Sequence, residues 1–186
     1  MQVAFYGGSF NPPHVAHVLA AAYALSVGFD RVLVVPVFEH AFDKPLTSFE
    51  HRVRLCELAM DFMPGVEVSR IEERLPVPSL TFFTLQTIVA EHPDWQLRLL
   101  VGADALLESA KWHRFDDIAR LAPPFVLGRV GVASESSVPA VLPGISSTHV
   151  RNLLALRKSD PRAAAELELA VPRRVLEWIE AHGLYS

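Results

Sequence analysis

The chemistry of this chain is concentrated in a segment near its start, Gly7-Gly8-Ser9-Phe10-Asn11-Pro12-Pro13-His14-Val15-Ala16-His17. Paired glycines let a backbone turn sharply and come close to a ligand. Pro12 and Pro13 stiffen the entry to a helix and suit its first turn. His14 and His17 are three apart, which puts two imidazoles on one helix face with Cβ atoms ~5–6 Å apart. A helix N-terminus beside them favours anions. These features together describe a phosphate site. The plainer reading is a glycine turn with two capping or surface histidines, and the segment alone leaves both open.

A second segment, Gly144-Ile-Ser146-Ser147-Thr148-His-Val-Arg151, offers three hydroxyls at a helix start. Arg151 lies one turn further on, where its guanidinium can fork onto a phosphate. Alone, the segment also reads as an ordinary Ser/Thr cap followed by a solvated arginine. No GxxxxGK(S/T) or GxGxxG pattern accompanies either segment. No Cys/His/Asp cluster with metal-ligand spacing follows the histidines, so no protein metal site is expected.

Something must hold these groups in place, and the pattern shows what. Short apolar runs alternate with helical segments. Strands are expected at Val3–Tyr6, Arg31–Pro36, Val66–Ser69, Leu97–Val101 and Pro124–Leu127, with a further one at Val138–Leu142. Helices are expected at Val15–Val27, from Ser48 through Phe62, from Ser79 to Ala90, over Phe115–Leu121, and from a Ser147 cap to Arg157. Two more, over 162–170 and 172–182, close the chain. Alternating strands and helices imply a parallel sheet of βαβ units, a doubly wound α/β fold with C-terminal helices. RVLVVP and LRLLV are apolar on both faces, as strands covered on both sides must be. Ligands of such sheets bind at the carboxyl ends of the strands, where residues 7–17 and 102–112 fall. One domain over 1–186 is expected, with 145–186 as its helical C-terminal part and a seam at Ser134–Pro143.

Composition sets limits. The chain has 186 residues, is 51% hydrophobic and carries a net charge of -4. Such a chain buries a sizeable core, and its charge argues against a nucleic-acid partner. Arginine supplies 14 of its 17 cations, leaving Lys44, Lys111 and Lys158, so a lysine in a loop stands out. Cys56 is the single cysteine and sits in an apolar helical stretch, which marks a small core residue. The sequence shows neither a targeting segment nor a membrane span, and the expectation is a soluble, cytoplasmic protein.

Together the two phosphate-like segments resemble the signature motifs of nucleotidyltransferases with an HxGH motif. More closely, the chain resembles the bacterial nicotinate-nucleotide adenylyltransferase family. GGSFNPPHVAH is similar to GGxFxPxHxGH, and ISSTHVR to ISSTxIR. Gly102-Ala-Asp104 followed by Trp112 resembles a GxD…W segment. Ser79-Leu-Thr81-Phe-Phe-Thr-Leu85, after Arg74, resembles SYTxxTL, and Val175–Tyr185 resembles the closing helix. The resemblance implies adenylyl transfer from ATP to nicotinate mononucleotide in NAD synthesis, with pyrophosphate released. It implies that His14 and His17 contact the ATP phosphates, with Arg151 as the third catalytic group. Gly7, Gly8, Ser9 and Phe10 would supply backbone around the nucleotide, and Gly102 and Asp104 would meet the adenosine. Ser146, Ser147, Thr148 and Arg151 would hold the departing phosphates. Lys44, Ser79, Thr81 and Trp112 would face the acceptor, Trp112 as a platform for the pyridine ring. Magnesium would be held mainly by the ATP phosphates.

Three departures stand out. Ala16 replaces the glycine of HxGH, and Leu80 replaces an aromatic. Pro36-Val-Phe-Glu-His-Ala-Phe-Asp-Lys44 stands where PxxxPPHK is expected. Glu39 and Asp43 bring negative charge towards an anionic substrate, with His40 near Lys44. They keep other acceptors in view, nicotinamide mononucleotide or phosphopantetheine among them, and beyond those an idle nucleotide-binding regulator. The residues leave self-association open.

Overall fold

The computed structural model describes residues 1–42, 44–132, 138 and 141–185. Its frame is a parallel sheet of β1 (Gln2–Gly8), β2 (Arg31–Pro36), β3 (Val66–Val68), β4 (Gln96–Gly102), β5 (Pro124–Arg129) and β6 (Val141–Leu142). The order across the sheet is β3-β2-β1-β4-β5-β6. The chain runs outward from β1 to β3, then returns to the other side of β1 with β4. That reversal leaves a crevice beyond the carboxyl ends of β1 and β4.

Side chains alternate between the faces of each strand, and the two helical layers divide accordingly. Ala4, Tyr6, Val32, Val34 and Leu100 join one buried cluster with α1 (Val15–Ser26), α2 (Phe49–Met60), α6 (Ser147–Leu156), α7 (Pro161–Ala170) and α8 (Arg173–Ala181). Val3, Phe5, Leu33, Val35, Leu97, Leu99 and Val101 join the other, with α3 (Thr81–Glu91) and α5 (Phe115–Leu121). This is why the central strands read as unbroken apolar runs. Cys56 is fully buried in the first cluster, as its surroundings in sequence suggested.

Local signals place most of the ends. Gly28 takes φ +105° just past α1, where side chains rarely fit. Ser48 caps α2, its hydroxyl accepting from the His51 amide. Four expectations need correction. The cap of α6 is Ser146, one residue earlier than expected, since its hydroxyl accepts from the His149 amide at 3.1 Å. The α3 helix starts at Thr81 rather than Ser79, because Ser79 pairs instead with the loop after β2. Of the expected Val138–Leu142 strand, Val141–Leu142 is a strand and Val138 is not, and most of the Ser134–Pro143 seam lies outside the described residues. The chain also turns helical at Ile71–Arg74, at α4 (Ala103–Leu107) and at Ser109–Lys111, where periodicity over so few residues carries no signal. Among the described residues, no helix is long and apolar enough to cross a membrane.

Candidate active site

A cleft of about 520 Å³ opens at the carboxyl edge, lined by Gly7 and Gly8 from β1, Val101 and Gly102 from β4, and the segments leaving those strands. Its volume suits a small-molecule ligand. The two glycines at the end of β1 are required by the protein's own aromatic rings. A Cβ on Gly7 would lie 2.9 Å from the Phe5 ring, and one on Gly8 3.2 Å from the Phe10 ring. Phe10 itself adopts φ +45° and is buried against Tyr6 and His17. Its ring is therefore a support beneath the cleft.

His14 is the residue before α1, and its amide donates to Nδ1 of His17 at 3.1 Å. The rings stack 3.8 Å apart at 30°. Because His17 Nδ1 accepts, a neutral His17 carries its proton on Nε2 as a donor. Burial, followed by the field of Arg129, lowers the pKa of His14 to about 3. Burial, His14 and Arg129 hold His17 well below its ordinary value. Both rings are therefore neutral near pH 7. His14 Nδ1 is a buried polar atom with no hydrogen-bond partner, the kind of atom a bound ligand satisfies.

Arg129, the last residue of β5, was not among the expected site residues. It lines the cleft, pairs with the Asp104 carboxylate and donates to the Ile145 carbonyl. A lone arginine after a short strand is common, and only the sheet order brings it beside the histidines. Asp104 lies in the first turn of α4, and its carboxylate folds back over Gly102. A Cβ on Gly102 would meet Asp104 Oδ1 at 2.6 Å, so any side chain there would push the carboxylate out of its present position.

Ser146, Ser147, Thr148 and Arg151 do not line this cleft. They stand behind its rim. The Ser147 hydroxyl donates to the Pro12 carbonyl at 2.9 Å, and Arg151 Nη1 to the Asn11 carbonyl at 2.7 Å. Arg151 Nη2 also reaches the Thr148 hydroxyl at 3.1 Å. The start of α6 thus packs against the loop between the glycines and His14, joining two segments far apart in the sequence. Asn11 is buried and held from other sides too, its Oδ1 accepting from the Thr47 amide and the Tyr185 hydroxyl.

The remaining wall comes from the loop after β2, the start of α3 and Glu108–His113. Lys44, Thr81 and Trp112, the residues expected to face the acceptor, line the cleft, with His40, Leu80, Lys111 and His113 beside them. Trp112 is half-buried, and its ring meets Phe115 edge-on at 5.9 Å. Ser79 also borders the cleft, but its hydroxyl is committed elsewhere. It accepts from the Phe38 and Glu39 amides, both at 3.2 Å, and bonds to Glu72. One donor and two acceptor sites are then filled, so the expected contact from Ser79 to a ligand gives way to a loop-holding bond. Glu39 is exposed and absent from the lining, whereas His40 and the exposed Lys44 border the cleft. The negative charge of Glu39 thus lies outside the site. Asp43 lies outside the described residues.

A parallel sheet wound both ways from its first strand, with a neutral histidine pair at the switch point, defines a nucleotide-binding α/β protein. The cytidylyltransferase-like family matches residues 5–153. A protein of Anaeromyxobacter sp. strain K called probable nicotinate-nucleotide adenylyltransferase is 44% identical over 188 residues, 99% of this chain and 96% of the relative. A protein of the same description from Myxococcus xanthus is 37% identical, covering 100% of this chain and 95% of the relative. The chain therefore belongs to the cytidylyltransferase-like family and, within it, to the nicotinate-nucleotide adenylyltransferase group of nucleotidyltransferases. The fold agrees. Plasmodium falciparum nicotinic acid mononucleotide adenylyltransferase complexed with NaAD superposes with a TM-score of 0.83 at 18% identity, over 99% of this chain and 97% of that one.

Proposed function

We propose that the protein transfers the adenylyl group of ATP to nicotinate mononucleotide. A 5′-phosphate oxygen of the mononucleotide attacks the α-phosphorus in line, and the bond to pyrophosphate breaks. No covalent enzyme intermediate forms, so the protein supplies position and charge stabilisation. The observation that carries this reading is the neutral, stacked His14–His17 pair, His14 buried and His17 half-buried, beside Arg129 at the β1–β4 switch point. Neutral imidazoles keep hydrogen-bond donors aimed at phosphate oxygens without the cost of burying two cations.

In this reading Gly7, Gly8 and Ser9 bring backbone to the nucleotide, and Asp104 accepts from the ribose hydroxyls. The start of α6, with Ser146, Ser147, Thr148 and Arg151, braces the Asn11–Pro12 loop from behind the rim, and its helix N-terminus suits the charge of the departing phosphates. Lys44 and His40 face the acceptor phosphate, and Trp112 stacks on the pyridine ring. Thr81, in the first turn of α3, meets the ring substituent. Among the described residues no three His, Cys, Asp or Glu side chains gather to hold a metal. Magnesium would be held mainly by the ATP phosphates and would help neutralise their charge. The sheet and the C-terminal helices act as one domain, because α8 packs on α2 and Tyr185 reaches Asn11. A cytoplasmic setting suits its substrates.

The test is pyrophosphate release with ATP and magnesium, comparing nicotinate mononucleotide, nicotinamide mononucleotide and phosphopantetheine. Nicotinate mononucleotide is expected to be preferred. A preference for either other acceptor, or turnover of none, would overturn the assignment.

A further inference from the structure

Among the described residues Arg52 is the largest fully enclosed side chain, 1% exposed, and it does not reach the cleft. A charge so deeply buried must be surrounded by polar partners. Its partners are main-chain carbonyls of three separate segments. Nε donates to Thr47 at 2.8 Å, Nη1 to Ser9 at 3.1 Å and Nη2 to Phe38 at 3.3 Å. Ser9 follows β1, Phe38 follows β2, and Thr47 precedes the cap of α2. The residue thus ties together the loops leaving two adjacent strands.

Phe38 is gripped at its other pole as well. Its amide donates to Glu72 Oε2 at 3.0 Å, and the second oxygen of that buried carboxylate accepts from Thr84 at 2.9 Å. The next residues carry the grip to the cleft, because Glu39 bonds to Ser79 and His40 pairs with Ser79 in a β-bridge. A displacement of Ser9 therefore has a short covalent and hydrogen-bonded route to His40.

We infer that Arg52 is a positioning residue that couples the two substrate sites, so that ordering of the Ser9 loop by the adenine nucleotide sets the Phe38–His40 loop for the acceptor. This rests on the adenylyl-transfer reading. Lysine keeps the charge but gathers its donors at one point, and it cannot reach three carbonyls set out for a planar fork.

Amide exchange at Phe38 and Glu39 tests the coupling in wild-type protein with a non-hydrolysable ATP analogue and no acceptor. The analogue should slow exchange there by about fivefold or more, the low end of ordinary site-to-site coupling. In Arg52→Lys the slowing should fall below twofold while the analogue still binds. Acceptor KM should then rise and kcat fall, with ATP KM moving less. Arg54→Ala, an exposed change on the same helix, should keep the wild-type response. Equal slowing in Arg52→Lys, or none in wild type, overturns the proposal. The wild-type arm decides even if the variant fails to fold. Wild-type turnover with the acceptor panel judges the functional reading independently.

Discussion

The two walls of the cleft are built differently. On the nucleotide side, His14 and Asn11 are buried, and Asn11 is held by Pro45, Thr47, Arg151 and Tyr185. Distant parts of the chain converge on one loop, so a change in any of them disturbs the same geometry. On the wall proposed for the acceptor, Lys44 is exposed, Phe42 is 53% exposed, and Lys111 bonds to Glu108 only three residues away. Such side chains can be exchanged at little cost to the fold. The contrast separates chemistry, which needs fixed groups, from selection, which tolerates variation. It explains how GGSFNPPHVAH stays close to the family pattern while Pro36–Lys44 departs from it.

This contrast can be broken first at His17. His17→Ala should lower kcat by ~10²–10³, the usual loss for one preorganised donor at developing charge, with folding judged by an unchanged circular dichroism spectrum. Near-normal kcat would remove the histidine pair from the chemistry and erase the difference between the walls. Arg151→Lys comes next. It keeps the charge but not the fork that spans Asn11 and Thr148, and roughly a tenfold drop in kcat/KM is expected. Full activity in steady-state kinetics would make Arg151 a structural cation only.

On the other wall, Trp112→Ala should act on binding. Losing a stacking contact of ~0.5–1.5 kcal/mol raises the acceptor KM several-fold to roughly tenfold, with ATP KM little changed. An equal rise in both would show that Trp112 serves the fold rather than one substrate. The smallest effect concerns stability against pH. His14 titrates near 3 when folded and near its ordinary 6.5 when unfolded. The unfolded chain therefore binds the extra proton between these values, and stability is lost as pH falls through that window. The contribution is about 1.4 kcal/mol per pH unit from this one group. Denaturant melts of His14→Gln should fall less steeply with acidity by about that amount. Parallel curves would mean that His14 is not buried neutral.

Much of the frame was legible because it depends on local and periodic signals. RVLVVP is a strand in the structure over the same residues, and Phe115–Leu121 is a helix over the same residues. Each pattern needs only its own window of residues. The cap of α6 falls on Ser146, one position before the expected Ser147, because the two serines are equal candidates until backbone geometry chooses between them. The short helices after β3 and β4 left no trace, since a single turn shows no period.

The candidate site divides along the same line. Local spacing was enough to read two histidines at one helix start, glycines before them and an arginine-bearing cap near the other end. Residue type and spacing settle these, because neighbours in the chain are neighbours in space. Packing alone puts Arg129 beside the histidines, commits the Ser79 hydroxyl to Phe38 and Glu39, and keeps Glu39 out of the cleft lining. It alone placed Arg52 between Ser9 and Phe38. These facts depend on strand order and on which hydrogen bonds a crowded interior leaves to be made. Both emerge only when segments distant in sequence pack against one another.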